Sequence, residues 1–230
     1  VNEETRSKLI AGDSSCEKYL RPILKGRDLE RWKSDWSSNY LISIPSSGNQ
    51  RHPWKNMSDH DAETTFSKLH PSIFTHLCEY KTKLKKRDDQ GNYYWELRAC
   101  VYWDLFIKPK IIYSDISKRP QFSMDNEKFL CLNTCYFLAS DSEWICALMN
   151  SKLSHYYFLN SNALVRGGYV RFFTQYVTDF PIPIIDDEKK EELSKLTRRA
   201  TSAAGKELRI VEQRIDNIVF DIYQLTKKQI

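Results

Sequence analysis

From Glu188 to Gln224 the chain carries no proline and a single glycine, Gly205. Over that stretch Leu193, Leu196, Ala200 and Ala203 step by three and four, and Leu208, Val211, Ile215, Ile218 and Ile222 do the same. This period lines apolar side chains along one face of a helix. It predicts two helical segments, or one long helix with a phase slip near Gly205. The stripe has to be covered, either by the rest of this chain, by a neighbouring domain or by a second copy.

Upstream the pattern is different. Pro181 and Pro183 mark a boundary. The expected organisation is a recognition domain of residues 1–183 followed by a helical segment, 184–230. Within the first part, Tyr40 to Pro45 alternates as a strand does, while Lys110 to Ile116 and Cys131 to Leu138 are apolar runs of strand length. Pro71 suits a first helical turn, with Ile73, Leu77, Tyr80 and Leu84 continuing the helix to about Lys86. Asp141 suits the N-cap of a helix through Leu148 that resumes from Leu153 to Phe158. Residues 1–20 read as a polar surface segment and 46–61 as a loop. Strands and helices thus alternate irregularly, which predicts an α/β (mixed α+β) fold with a mixed sheet.

Hydrophobic residues make up 41% of the 230, enough for a sizeable core. No run reaches the roughly 18 apolar residues of a membrane span, so no membrane partner is expected. The chain opens on Val1 in what reads as mid-protein sequence, which predicts a further segment upstream. The six cysteines include no CxxC pair; Cys131 and Cys135, four apart in an apolar run, are expected as buried reduced thiols rather than a structural zinc site, and the scattered others fit a cytoplasmic protein.

Several chemistries lack their residues. None of the seven glycines forms a GxG turn after a strand, as a methyl-donor site requires. No Asn/Asp-Pro-Pro-aromatic tetrad is present to hold a flipped adenine. Asp179 with Asp187 and Lys189 loosely resembles a metal-nuclease triad, but Asp186 to Lys190 open a predicted helix, where acidic residues suit the helix dipole. The five histidines, at 52, 60, 70, 76 and 155, adjoin no nucleophile motif. No catalytic or metal residue is therefore assigned.

The net charge is +5, and between Lys81 and Arg119 ten basic residues face five acidic ones, so this segment alone carries an equal excess. Three segments combine cations with turn and aromatic residues. They are Lys25–Arg31, Lys81–Arg98 and Arg166–Gln175. Lysine and arginine neutralise phosphate, arginine and glutamine pair with base edges, and glycine lets backbone amides approach an anion. A solvated lysine face is the structural alternative for any one of them.

The order of segments goes further. LRPILKGRDLERW, LHPSIFTHLCEYKTKLKKRDDQGNYYWELRAC, KPKIIYSDISKRPQFSMD, LNTCYFLASDSEWICALMNSKLSHYYF, RGGYVRFFTQYVTDFPIP and the closing IVEQRIDNIVFDIYQLTKKQI occur in that order. Together they resemble the TaqI-like C-terminal specificity domain of single-chain type II restriction–modification methyltransferases. The resemblance implies a target-recognition domain that binds double-stranded DNA and does no chemistry itself. It also implies an upstream methyltransferase domain on the same polypeptide, which flips and methylates an adenine using S-adenosylmethionine. This fragment needs no cofactor.

Candidate DNA-binding residues on this reading are Lys25, Arg27, Arg87, Gln90, Arg98, Lys118, Arg119, Arg166, Gly167, Gly168, Tyr169, Arg171 and Gln175. The segment from Arg166 to Arg171 is the strongest, because glycines, arginines and an aromatic coincide there. For Arg27 an ion pair with Asp28 is the alternative, and for Lys118 and Arg119 a network with Asp115. Trp95, Trp103, Trp144, Tyr156 and Tyr157 are expected in the core. Two rival functions remain at this point. One is metal-dependent DNA cleavage by the chain itself, and the other is a protein-interaction module docking a separate subunit.

Overall fold

The computed structural model describes residues 1–161 and 164–226. The last four residues of the closing segment lie outside the described residues. The chain separates into two compact units, each discontinuous in sequence. One comprises Val1–Ile23 and Ser38–Asp104, the other Leu24–Ser37 and Leu105–Ile230.

The first unit is mainly helical. Asn2 accepts from the Thr5 amide at 2.9 Å and starts α1 (Glu3–Gly12). This corrects the expected surface segment. α1 is polar on most sides and buries only Leu9, but Leu9, Cys16 and Tyr19 all enter the core. Strand β1 (Leu20–Leu24) pairs antiparallel with β2 (Tyr40–Ile42), Leu20 opposite Ile42. Ser58 caps α2 (Asp59–Leu69), which begins inside the expected loop and buries Ala62 and Phe66. Pro71 does open α3 (Pro71–Cys78). Tyr80, at φ −111° and ψ 2°, then leaves helical geometry, so α4 (Lys81–Leu84) is a separate turn.

These elements enclose an aromatic core. Trp95 stacks on Phe66 at 4.9 Å and on Tyr93 at 5.0 Å, and Trp54 meets Phe66 edge-on. Beneath them lies the fully buried carboxylate of Glu96. It accepts from the Ser47 amide at 3.0 Å and the Ser47 hydroxyl, from Trp54 Nε1 at 2.9 Å and from the Asn92 amide at 2.9 Å. One charge shared among four donors is well compensated, and it ties three loops together.

The second unit is built on β3 (Lys110–Ser114), whose five residues are all buried. The next strands are β4 (Ile116–Ser117), β5 (Phe122–Asp125), β6 (Leu130–Cys131) and β7 (Cys135–Leu138). β3 is the middle strand of an antiparallel sheet ordered β5-β3-β7. Period-two alternation sends Ile111 and Tyr113 into one cluster, and Ile112 into another with Leu24, Leu29 and Phe129. A strand covered on both faces reads as an uninterrupted apolar run, which is why the sequence exposes it.

Helices cover the first of those faces. α5 (Glu143–Met149) starts after Ser142, one residue beyond the expected Asp141. Ser151 then caps an independent α6 (Lys152–Asn160), accepting from the Ser154 amide at 3.1 Å. Strands β8 (Leu164–Val165) and β9 (Tyr169–Arg171) follow, then α7 (Thr174–Thr178). α8 (Asp187–Ser202), capped by Asp186, and α9 (Gly205–Ile222) turn sharply at Gly205, φ +57°. Leu193, Leu196 and Ala200 of α8 and Val211, Ile215 and Val219 of α9 join the cluster of Ile111 and Tyr113, so the stripe is covered by this chain's own core. Of the five aromatics expected in the core, Trp95 is buried, and Trp144 and Tyr157 pack against the core half-buried. Trp103 is half-buried. Tyr156, 67% exposed, points outward because the inward face of α6 is taken by Ser154 and Phe158. Among the described residues no helix is long and apolar enough to cross a membrane.

Candidate nucleic-acid interface

Within the second unit, five separate stretches of chain line one groove of about 1040 Å³. The 25–29 turn forms one side. The 114–121 segment, Leu132 with Thr134, His155 of α6 and Tyr169 of β9 supply the rest. Of the expected site residues, Lys25, Arg27, Lys118, Arg119 and Tyr169 meet here.

The turn that carries Lys25 and Arg27 is pinned from beneath. The Lys25 amide donates to Asp28 Oδ2 at 2.8 Å and the Ser37 hydroxyl to Asp28 Oδ1 at 2.9 Å, leaving Asp28 buried. The Gly26 amide donates to Thr134 Oγ1 at 2.9 Å. With Asp28 so engaged, Arg27 Nε stands 4.0 Å from it and the arginine side chain is 75% exposed. An ion pair that loose and that exposed contributes little.

Gly26 is required by close approach. A Cβ there would lie 2.6 Å from the Thr134 carbonyl oxygen and 3.3 Å from Thr134 Cβ. Gly26→Ala is therefore expected to cost about 1–3 kcal/mol, because backbone has to move to admit the methyl. Denaturant unfolding should show a lower midpoint with an unchanged slope.

On the facing side, the Ser117 hydroxyl donates to the Arg119 carbonyl at 2.6 Å and so shapes the turn bearing Lys118 and Arg119. The Lys118 ammonium sits 5.5 Å from the Tyr169 ring centroid. Among the described residues no ion pair joins Asp115 to Lys118 or Arg119, and Asp115 Oδ1 is buried without a partner. Burial pushes the His155 imidazole below its usual range, with Arg31 and Arg119 pushing the same way. The residues described as lining the groove include four cations and no carboxylate.

Next to the groove lies a second small sheet, ordered β4-β9-β8. Ile116 pairs with Arg171 and Val165 with Tyr169. Arg166, Gly167 and Gly168 form its hairpin tip, and all three are exposed. The two glycines adopt φ +87° and +76°, a region other residues rarely enter, so the tight reversal depends on them. Arg171 lies with its guanidinium carbon 4.7 Å from the Phe173 ring centroid. Gln175 is exposed on α7.

The remaining three candidates fall in the first unit. Arg87 donates to the carbonyl oxygens of Tyr94, at 3.1 Å, and Glu96, at 2.7 Å, so it braces its own loop. Gln90 bridges to Leu97 and lines a small cavity with Glu63 and Tyr94. Arg98 is exposed and 3.5 Å from Asp89. In the first turn of α8, Asp187 pairs with Lys190, and Lys189 reaches Asp221.

Sequence reasoning did not single out Ile116, Gln121, Leu132, Thr134 or His155. Strand-edge apolar residues look the same in sequence whether they face a core or a groove. His155 stands alone on its helix with no motif around it.

The TaqI-like C-terminal specificity domains match residues 21–182. The chain belongs to this family. It is also 25% identical over 143 residues, 56% of its length, to the type II methyltransferase M.BanIII of Aneurinibacillus aneurinilyticus, covering 24% of that protein. The fold is shared with the type IIL restriction-modification enzyme MmeI, solved in complex with DNA. That superposition has a TM-score of 0.72 at 12% identity and covers 98% of this chain and 31% of the enzyme. The chain thus spans about a quarter of the one relative and a third of the other.

Proposed function

We propose that this chain is the part of a larger restriction–modification methyltransferase that selects the DNA site. The supporting observation is the groove whose described lining holds Lys25, Arg27, Lys118 and Arg119 with no carboxylate among them. Like charges gathered around one concavity favour a polyanionic ligand. Family membership supplies the class of ligand. In this reading Arg166, Arg171 and Gln175 of the adjoining sheet and α7 extend the contact, while Arg87 serves the fold and Gln90 and Arg98 lie outside the groove.

The catalytic half belongs to the upstream part of the same polypeptide. There an S-adenosylmethionine-dependent domain methylates an adenine, and this chain does no chemistry of its own. A nuclease reading has little behind it. Lys189 and Lys190 are engaged with Asp221 and Asp187, and among the described residues no three His, Cys, Asp or Glu side chains gather as a metal site.

The test is equilibrium binding of the chain to duplex DNA over a series of salt concentrations. Affinity should fall log-linearly with salt, by a slope of about −0.9 for each phosphate neutralised. Binding that ignores salt, or magnesium-dependent cutting of plasmid by the chain alone, would refute the reading.

A further inference from the structure

The groove has a chemical character that phosphate binding leaves unexplained. Its lining also includes Ile116, Leu132 and Tyr169, each with 38–40% of its surface exposed. Scattered exposed apolar side chains need no explanation, but three gathered inside one cation-lined concavity do. They sit on structurally fixed backbone. Ile116 is paired with Arg171 across β4 and β9. The Leu132 amide donates to the Leu24 carbonyl at 3.0 Å, and its carbonyl accepts from the Cys135 amide at 2.9 Å. The Tyr169 ring carries the Lys118 ammonium on one side.

We infer that Ile116 and Leu132, flanked by Tyr169, read the C5-methyl group of a thymine through the major groove. The inference rests on the DNA-binding reading above and adds to it a base and the residues that select it. If Lys25, Arg27, Lys118 and Arg119 grip phosphates, the apolar part of the same lining, here called its floor, is left to meet base edges. The major-groove edges of adenine, guanine and cytosine present donors and acceptors, and thymine alone adds an apolar group. The floor is a poor match for cytosine, whose amino group seeks a carboxylate that the described lining lacks. Phosphate set against these side chains would leave charged oxygens facing carbon. A methyl group removes apolar surface from water on both sides of the contact.

The experiment starts from duplexes with randomised cores, from which those bound by the chain are selected. In a selected duplex each thymine is then replaced singly by uracil, which removes the methyl group and nothing else. At one or more positions the exchange should weaken binding roughly fourfold, the equivalent of one buried methyl group. Ile116→Ala and Leu132→Ala should each reduce that discrimination to near unity, read as the ratio of thymine to uracil affinity within each variant whatever its absolute affinity. Two results would overturn the inference with DNA binding intact. They are a duplex insensitive to uracil at every thymine, and full discrimination retained by both alanine variants. If no duplex is bound in a salt-dependent way, the functional reading itself fails and the inference falls with it.

Discussion

Changing Lys25, Arg27, Lys118 and Arg119 together to glutamine should abolish most duplex binding and leave the fold intact. The four line one groove without a carboxylate among its described residues, so their charges add. If each neutralises one phosphate, the salt slope should shrink by about 3–4 units, and affinity near physiological salt should drop by roughly a hundred- to ten-thousandfold. Stability should change little. Arg27, Lys118 and Arg119 are exposed, Lys25 is half-exposed, and glutamine keeps a polar, uncharged side chain at each position. Removing Arg119 even takes a like charge away from Arg31, whose guanidinium is already disfavoured by burial. Fluorescence anisotropy at several salt concentrations, with a thermal melt of each variant, measures both quantities. A variant that melts normally and binds with the parent slope would show that these cations do not face the phosphates. Arg166→Ala with Arg171→Ala probes the adjoining hairpin in the same assay. It should weaken binding by a smaller factor, because Arg171 already has an aromatic partner in Phe173.

The cations of the site could be read from the sequence as residue types but not as a group. Lys25, Lys118 and Tyr169 are brought together by a fold that carries Leu24–Ser37 into the same unit as residues beyond 105. Local composition holds no trace of that crossing. Arg87 is the complementary case. Its segment is as basic as any in the chain, yet its guanidinium holds the Tyr94 and Glu96 carbonyls. An arginine that solvates phosphate and one that satisfies its own loop differ only in their acceptors, which lie seven and nine residues downstream. The apolar floor was hidden for a similar reason, since Ile116 and Leu132 sit in runs that elsewhere supply the core.

Elements were legible where burial imposes a period. α8 and α9 bury one stripe each and β3 is buried throughout, so their patterns stand out. α1 commits only Leu9 to the core, and α2 only Ala62 and Phe66. Their helical state comes from capping by Asn2 and Ser58 and from packing, which leaves little hydrophobic periodicity to detect. The long helix expected after Pro71 failed for a different reason. Its apolar spacing continues past Tyr80, but the backbone at Tyr80 does not, and side-chain periodicity cannot register a single non-helical ψ.

The most severe single-site loss of stability is expected on removing the partner of the one charged residue inside the central strand. Lys110 begins β3 with its side chain fully buried, donating to Asp125 on the neighbouring strand and to the Phe106 carbonyl at 2.8 Å. Asp125 also accepts from the Glu127 amide at 2.9 Å and the Phe129 amide at 3.1 Å, which shapes the turn after β5. Asp125→Ala therefore removes the counterion of a buried ammonium and leaves two amides to find new acceptors. A loss of about 3–5 kcal/mol is expected, as for other buried pairs broken from one side. Lys110→Met should cost less, because the carboxylate it leaves behind keeps two backbone donors. The combined variant Lys110→Met with Asp125→Ala should recover part of the loss, since no buried charge remains. Denaturant unfolding of the three variants measures this as a double-mutant cycle. Additive losses would mean that the two side chains act independently and that the pair does not anchor β3 to β5. A strong favourable coupling would assign to this ion pair the register that sets Ser114 and the groove-lining segment after it.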